Sequence, residues 1–253
     1  MNNTVNKIKD GHGDDILIHP VRGRNEKAIP PLGLFFVNPQ EARMALDHLL
    51  KQGGERRFLF HSGLVVSPGN GFFVAGPAVG APMAVMALEK LIVLGATTVI
   101  MNGWCGAIKE NLRVGDTLLG GVAHSGEGTS GYYSTETISR PSPVLLRHLQ
   151  KSMGAYTPFP IWSTDAPYRE SRHMLAVLAQ THDLGGVDME YSALCTVAAF
   201  RGIAFSGLFL VSDELWNREW KPGFTGKAFK QKSKAQVEML IDYVQLLVSE
   251  EEK

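Results

Sequence analysis

Residues 72–106 read FFVAGPAVGAPMAVMALEKLIVLGATTVIMNGWCG, and their reading decides the fold class. Phe72-Phe73-Val74-Ala75 is a short apolar run of the kind that forms a buried strand, and Gly76-Pro77-Ala78-Val79-Gly80 turns it. Residues 81–94 predict a helix, with Pro82 in the first turn and Gly95 as its stop. Residues 97–102 are again strand-like and end in Gly103-Trp104-Cys105-Gly106. Strand, glycine turn, helix and strand in that order imply parallel strands covered by helices, an α/β fold.

The same grammar extends outward. Upstream, Leu34-Phe35-Phe36-Val37 predicts a strand, Asn38-Pro39 ends it, and residues 40–52 predict a helix closed by Gly53-Gly54. Downstream, strands are expected at 117–123 and 203–211, and helices at 191–200 and about 235–248. The last helix is amphipathic through Val237, Leu240, Ile241, Val244 and Leu247. Residues 1–31 are a polar lead-in to one domain spanning 32–253, since no repeat or linker divides the chain.

Composition narrows the function. The 253 residues carry 25 Lys+Arg and 25 Asp+Glu, a formal net charge of zero. A general nucleic-acid binder needs an excess of positive charge, so no nucleic-acid partner is expected. With 44% hydrophobic and 20% charged residues, the chain has enough apolar side chains for a sizeable core. Two cysteines, Cys105 and Cys195, make neither a disulfide scaffold nor a CxxC site. The first residues contain no apolar signal run, and no apolar stretch approaches the roughly 18 residues of a membrane span. The expectation is a cytoplasmic protein with no membrane partner.

Generic motifs are absent. There is no GxxxxGK[ST] loop, no strand-to-helix GxGxxG and no HExxH, and the eight histidines have no metal-ligand spacing. Neither a metal nor a cofactor is expected. In α/β sheets ligands collect beyond the carboxyl ends of strands, which directs attention to Asn38, Gly80, Gly103, Asp188 and Asp213.

Four stretches, in order, carry a family resemblance. Val187-Asp188-Met189-Glu190-Tyr191-Ser192-Ala193 resembles the Glu-Met-Glu signature of the nucleoside phosphorylase family, of the uridine phosphorylase and hexameric purine nucleoside phosphorylase type. Val79-Gly80-Ala81-Pro82 is similar to its Gly-x-Gly-Gly-Pro helix start. Gly103-Trp104-Cys105-Gly106-Ala107 with Val114-Gly115-Asp116 resembles its Gly-Thr/Ser-Cys-Gly-Ala…Val-Gly-Asp pattern. Val211-Ser212-Asp213 resembles the Val-Ser-Asp of its purine-acting members.

The resemblance implies a three-layer α/β/α sandwich around a mixed, mainly parallel, distorted sheet, and cleavage of a nucleoside's N-glycosidic bond. It assigns the ribose to Met189 and Glu190; a carboxylate suits a cis-diol because it accepts two hydroxyl hydrogen bonds. A carboxylate favoured by a helix N-terminus is the plainer reading of Glu190. Asp213 is implied as the acid at purine N7, or as the cap of a short helix over 214–217. The base is expected against Pro167, Tyr168 or Trp104, with Asp188 beside it. His19 corresponds to a histidine that reaches a neighbouring subunit's ribose, or is simply solvated; the family forms dimers or hexamers, so a homo-oligomer is implied.

The family's phosphate positions are replaced here by Val37, Glu41, Met101 and Trp104. A phosphate dianion needs charge-assisted donors, and none of these side chains is basic. The nucleosidase branch carries a water-activating glutamate near Glu41, so hydrolysis is the favoured expectation, with Gly80, Gly103 and Met101 around the phosphate or water pocket. Glu41 also reads as a first-turn carboxylate facing solvent. Phosphorolysis with inorganic phosphate held by other arginines, and a silent nucleoside-binding protein, are the alternatives.

Overall fold

The computed structural model describes residues 16–152, 154, 157–217 and 219–251. Strand β1 (Leu32–Phe36) leads into α1 (Pro39–Lys51), and a hairpin of β2 (Glu55–Leu59) and β3 (Ser62–Val66) follows. Next come β4 (Phe73–Gly76), α2 (Ala81–Leu94) and β5 (Thr98–Ala107), the unit that residues 72–106 predict. β1 lies between β4 and β5 and pairs parallel with both.

Side chains of the central strands alternate between two apolar cores, as strands covered on both faces require. Phe35, Val37, Val99 and Met101 pack towards α2 and α5 (Tyr191–Arg201). Leu34, Phe36 and Ile100 pack towards α1, α3 (Pro143–Ser152) and α6 (Lys227–Glu251). Helices therefore cover both faces of the sheet, which is the three-layer arrangement.

The sheet is mixed and partly closed. β5 also pairs parallel with β10 (Ala204–Glu214), which pairs antiparallel with β6 (Thr117–Gly126). β6 runs parallel to β8 (Pro158–Thr164), β8 to β9 (Gly186–Asp188), and β9 returns antiparallel to β5. Five strands thus form a ring. β7 (Ile138–Ser139) and β11 (Lys221–Pro222) are short antiparallel additions to β6 and β10, and α4 (Arg172–His182) joins β8 to β9.

Three elements differ from the sequence reading. β5 continues through Gly103-Trp104-Cys105-Gly106, and β10 through Ser212-Asp213, because each strand finds backbone partners there. No helix caps at Asp213. α6 begins at Lys227, eight residues before the expected start, because its first buried side chains after Phe229 are the polar Ser233 and Gln236. Their spacing is helical, but an apolar pattern cannot show it.

The first fifteen residues of the lead-in lie outside the described residues. Its later part runs beside α2, where the Ile29 N–H donates to the Leu94 carbonyl at 2.9 Å. Among the described residues, no helix is long and apolar enough to cross a membrane.

Candidate functional site

Gly106 on β5 is the point on which the site converges. It stands opposite Val187 on β9 and opposite Asp213 on β10. The short β9 ends at Asp188, so Met189 and Glu190 fill the step before α5. In β10 the register shifts between Val211 and Asp213, leaving Ser212 as an extra residue. Such a bulge re-aims the side chain that follows it. Met189, Glu190 and Asp213 accordingly line one cavity of 480 Å³.

Glu190 is buried, and its Oε1 accepts the Gly80 N–H at 2.6 Å. Gly80 takes φ +87° just ahead of α2, a conformation that favours glycine. The carboxyl therefore sits at the positive end of the α2 dipole. Burial pushes its pKa well up, the Asp188 charge adds to that, and the Gly80 N–H opposes it.

Asp188 fixes this geometry. Its Oδ2 accepts the N–H groups of Glu190 and Tyr191 at 3.0 and 2.7 Å, and its Oδ1 accepts the Ser163 hydroxyl. Burial raises its pKa, while Ser163 and the two backbone donors pull it down. Asp188 borders the cavity, but its bonds run to the start of α5, so it positions Glu190. Its place on the cavity wall beside Glu190 is the one that the base-binding expectation gives it.

Tyr191 anchors the same turn from behind. Its fully buried ring lies between Gly120 and Gly207, and its hydroxyl donates to the Gly121 carbonyl at 3.1 Å.

Asp213 is held from both sides. Ser212 Oγ donates to Oδ1 at 2.6 Å, and Trp220 Nε1 donates to Oδ2 at 2.8 Å. Aromatic rings wall this end. Trp104 stacks on Phe224 with centroids 5.7 Å apart and meets Phe229 edge-on at 5.2 Å. Pro167 and Tyr168 border the cavity, and Tyr168 is 98% exposed at its rim. Glu170, just beyond them, also lines the cavity. Burial, reinforced by the Asp213 charge, pushes its carboxyl up to about 7.

Several expected site residues lie elsewhere. Glu41 is buried and off the cavity wall: Ser233 of α6 donates to its Oε1, and its Oε2 has no partner. The early start of α6 brings Ser233 over α1, a contact between positions far apart in the chain. Met101 and Val37 belong to the α2-side core, and neither lines the cavity. Gly103 lines no part of it, and a Cβ there would meet Met101 Cε at 2.7 Å. Gly80 contributes through its N–H to Glu190. His19 is exposed in the lead-in and lines no part of this cavity.

Sequence reading missed Glu170 and Phe224. Glu170 had a usable signal, a carboxyl two residues after the Thr164–Tyr168 segment; Phe224 had none. Asn38, flagged by position alone, lines the cavity with a buried Oδ1 that has no partner. Trp220 borders the cavity, whereas Trp216 bonds the Leu112 carbonyl with its indole. Among the described lining residues there are four carboxyl side chains, Glu170, Asp188, Glu190 and Asp213, and no Lys, Arg or His.

Known proteins match this architecture. The chain is 27% identical over 180 residues to a guanosine phosphorylase of Halorubrum lacusprofundi, covering 68% of this chain and 73% of that one. The purine nucleoside phosphorylase of Toxoplasma gondii, solved with immucillin-H, superposes with TM-score 0.75 at 20% identity, covering 94% of this chain and 99% of that one. An AMP nucleosidase of Bacteroides thetaiotaomicron superposes with TM-score 0.64 at 24% identity, over 85% and 90%. The family model of the phosphorylase superfamily matches residues 31–245, nearly the whole described fold and both strands that meet at Gly106, and the chain belongs to that superfamily.

Proposed function

We propose that this protein hydrolyses the N-glycosidic bond of a purine-type ribonucleoside. One observation carries the reading. Glu190 and Asp213 face a single cavity whose described lining is acidic and aromatic, without a basic side chain. Membership of the superfamily supports the glycosidic bond as the target, and the cavity's charge supports water over phosphate as the nucleophile. A phosphate dianion would meet carboxyls and an indole where it needs donors.

In this reading the ribose lies between Met189 and Glu190, with its 2′- and 3′-hydroxyls on the Glu190 carboxyl. The heterocycle lies against the Trp104–Phe224 stack, with Pro167 and Tyr168 closing the rim. Its ring-nitrogen edge meets Asp213. As the C1′–N bond lengthens, positive charge grows on the sugar and negative charge on the base. The acidic cavity favours the first, and a proton or hydrogen bond to the base favours the second. Asn38 Oδ1 is free to orient the attacking water from the α1 side.

Phosphorolysis is the second reading, favoured by the guanosine phosphorylase likeness. The test is incubation with inosine, adenosine, guanosine, uridine and methylthioadenosine, with and without phosphate. Free base together with free ribose sugar, unaffected by phosphate, is the expected result. Phosphate-dependent release giving ribose 1-phosphate overturns hydrolysis. Nucleoside binding without release would identify a silent binding protein.

A further inference from the structure

We propose that Glu127 is a positioning residue for the ribose: it sets the rotation of α5, and so the aim of Glu190 at the 2′-hydroxyl. This deepens the reading above and rests on its placement of the sugar on Glu190. Glu127 lies in the loop that follows β6, is buried, and lines no part of the cavity. Burying a carboxyl is costly unless donors meet it. Its Oε2 accepts the Thr129 and Ser130 N–H groups at 2.6 and 3.0 Å, which fixes the carboxyl within its own loop. Its Oε1 accepts the Ser192 hydroxyl of α5 at 2.9 Å, and the Ser125 hydroxyl lies 2.8 Å from the same oxygen.

Ser192 is where this loop reaches the site. It is the second residue of α5, two positions beyond Glu190. Its N–H donates to Ser163 Oγ at 2.9 Å, and Ser163 donates in turn to Asp188 Oδ1. The other Asp188 oxygen takes the Glu190 and Tyr191 N–H groups. Three successive N–H groups at the helix start thus end on side chains. Backbone N–H groups point along a helix axis, so these bonds fix how far α5 reaches towards the cavity. The Ser192 hydroxyl stands off that axis, so its bond to Glu127 acts, with the Tyr191 ring, against rotation. Burial raises the Asp188 pKa, its donors lower it and the Glu127 charge adds to the rise, so the two carboxyls stand near enough to act on each other.

A ribose needs this control more than a 2′-deoxyribose does. Glu190 keeps its Oε1 on the Gly80 N–H, and a small rotation of α5 moves its other oxygen relative to a sugar in the cavity. A carboxylate meeting a cis-diol accepts both hydroxyls. Without the 2′-hydroxyl, half of that aim has no object. Glu127 therefore contributes to the preference for ribonucleosides without touching them.

The experiment measures kcat/KM of wild type, Glu127→Gln, Ser192→Ala and the double variant. The substrate pairs are inosine with 2′-deoxyinosine and adenosine with 2′-deoxyadenosine. Base release is followed with phosphate present, so that either nucleophile is read. The readout is the ratio of ribo to deoxyribo kcat/KM, because a loss of folded enzyme lowers both values alike. Wild type should favour the ribonucleosides. Each single variant should lower the ratio by roughly tenfold, the size of one hydrogen bond to a charged group. The double variant should lower it no further, since the two residues act as one unit. An unchanged ratio in either single variant overturns the inference, as does a double variant whose loss is the product of the two singles. Should Glu127→Gln fail to fold, Ser192→Ala alone decides. Equal turnover of both members of a pair by wild type overturns the diol contact of Glu190, and this inference with it. Wild type releasing no base from any nucleoside overturns the function itself.

Discussion

Glu190 is a carboxyl placed in a buried site with no cation beside it, and that placement has a cost in stability. Its folded pKa is raised from the ordinary value of 4.5. Above pH 4.5 the unfolded chain releases this proton while the folded chain keeps it. The unfolded state then binds fewer protons, so stability falls as pH rises through that window. Glu190→Gln removes the titration. Its unfolding free energy from urea denaturation should match wild type near pH 4 and exceed it at pH 8, by on the order of 1–2 kcal/mol, while base release collapses. A variant no more stable than wild type at pH 8 would show that the carboxyl is ionised there at little cost. Residues of this kind were legible in the sequence where a contiguous motif holds them, as with Met189-Glu190 and Val211-Ser212-Asp213. Glu41 was not, because its environment depends on Ser233, 192 positions away. Met101 was not, because alternation along β5 decides which core it enters.

At the level of elements, the α5 start is set by how Tyr191 fits the sheet. A Cβ on Gly120 would stand 2.6 Å from Tyr191 Cζ, and one on Gly207 would stand 2.9 Å from Cε2. The ring cannot retreat from one strand without meeting the other. Gly120→Ala should therefore destabilise the fold by about 1–3 kcal/mol in urea denaturation. It should also raise KM for nucleosides, since Glu190 immediately precedes the displaced ring. A stability loss with an unchanged KM would separate the helix start from the site. The helices with apolar stripes, α1, α2 and α5, were readable from periodicity. The β2–β3 hairpin was not: its charged Glu55-Arg56-Arg57 segment lacks an apolar run, and its strand character comes from pairing with β3. The first turns of α6 were hidden for the related reason that Ser233 and Gln236 are polar core residues, bonded to Glu41 and Asn102.

For the whole molecule, ligand linkage separates the two nucleophiles without an activity assay. A nucleoside at a hundredfold excess over its Kd adds about 2.7 kcal/mol of stability by mass action. In a domain of this size that raises Tm by roughly 5–10 °C. Inorganic phosphate alone should leave Tm unchanged; a saturable rise with phosphate would mean that a basic site exists and would favour phosphorolysis. Helices covering a mainly parallel sheet were foreseeable from the alternation of strands and helices, and the sandwich from the family resemblance. The closure of β5, β10, β6, β8 and β9 into a ring was not, because partner choice between distant strands leaves no mark on local periodicity. That ring has a consequence for deuterium uptake. Each of its strands has a hydrogen-bonded neighbour on both sides, so no member can peel away alone. Its central amides should exchange only when the entire chain opens, on the slowest timescale in the molecule. β2, paired on one side only, should take up label far sooner through local fraying.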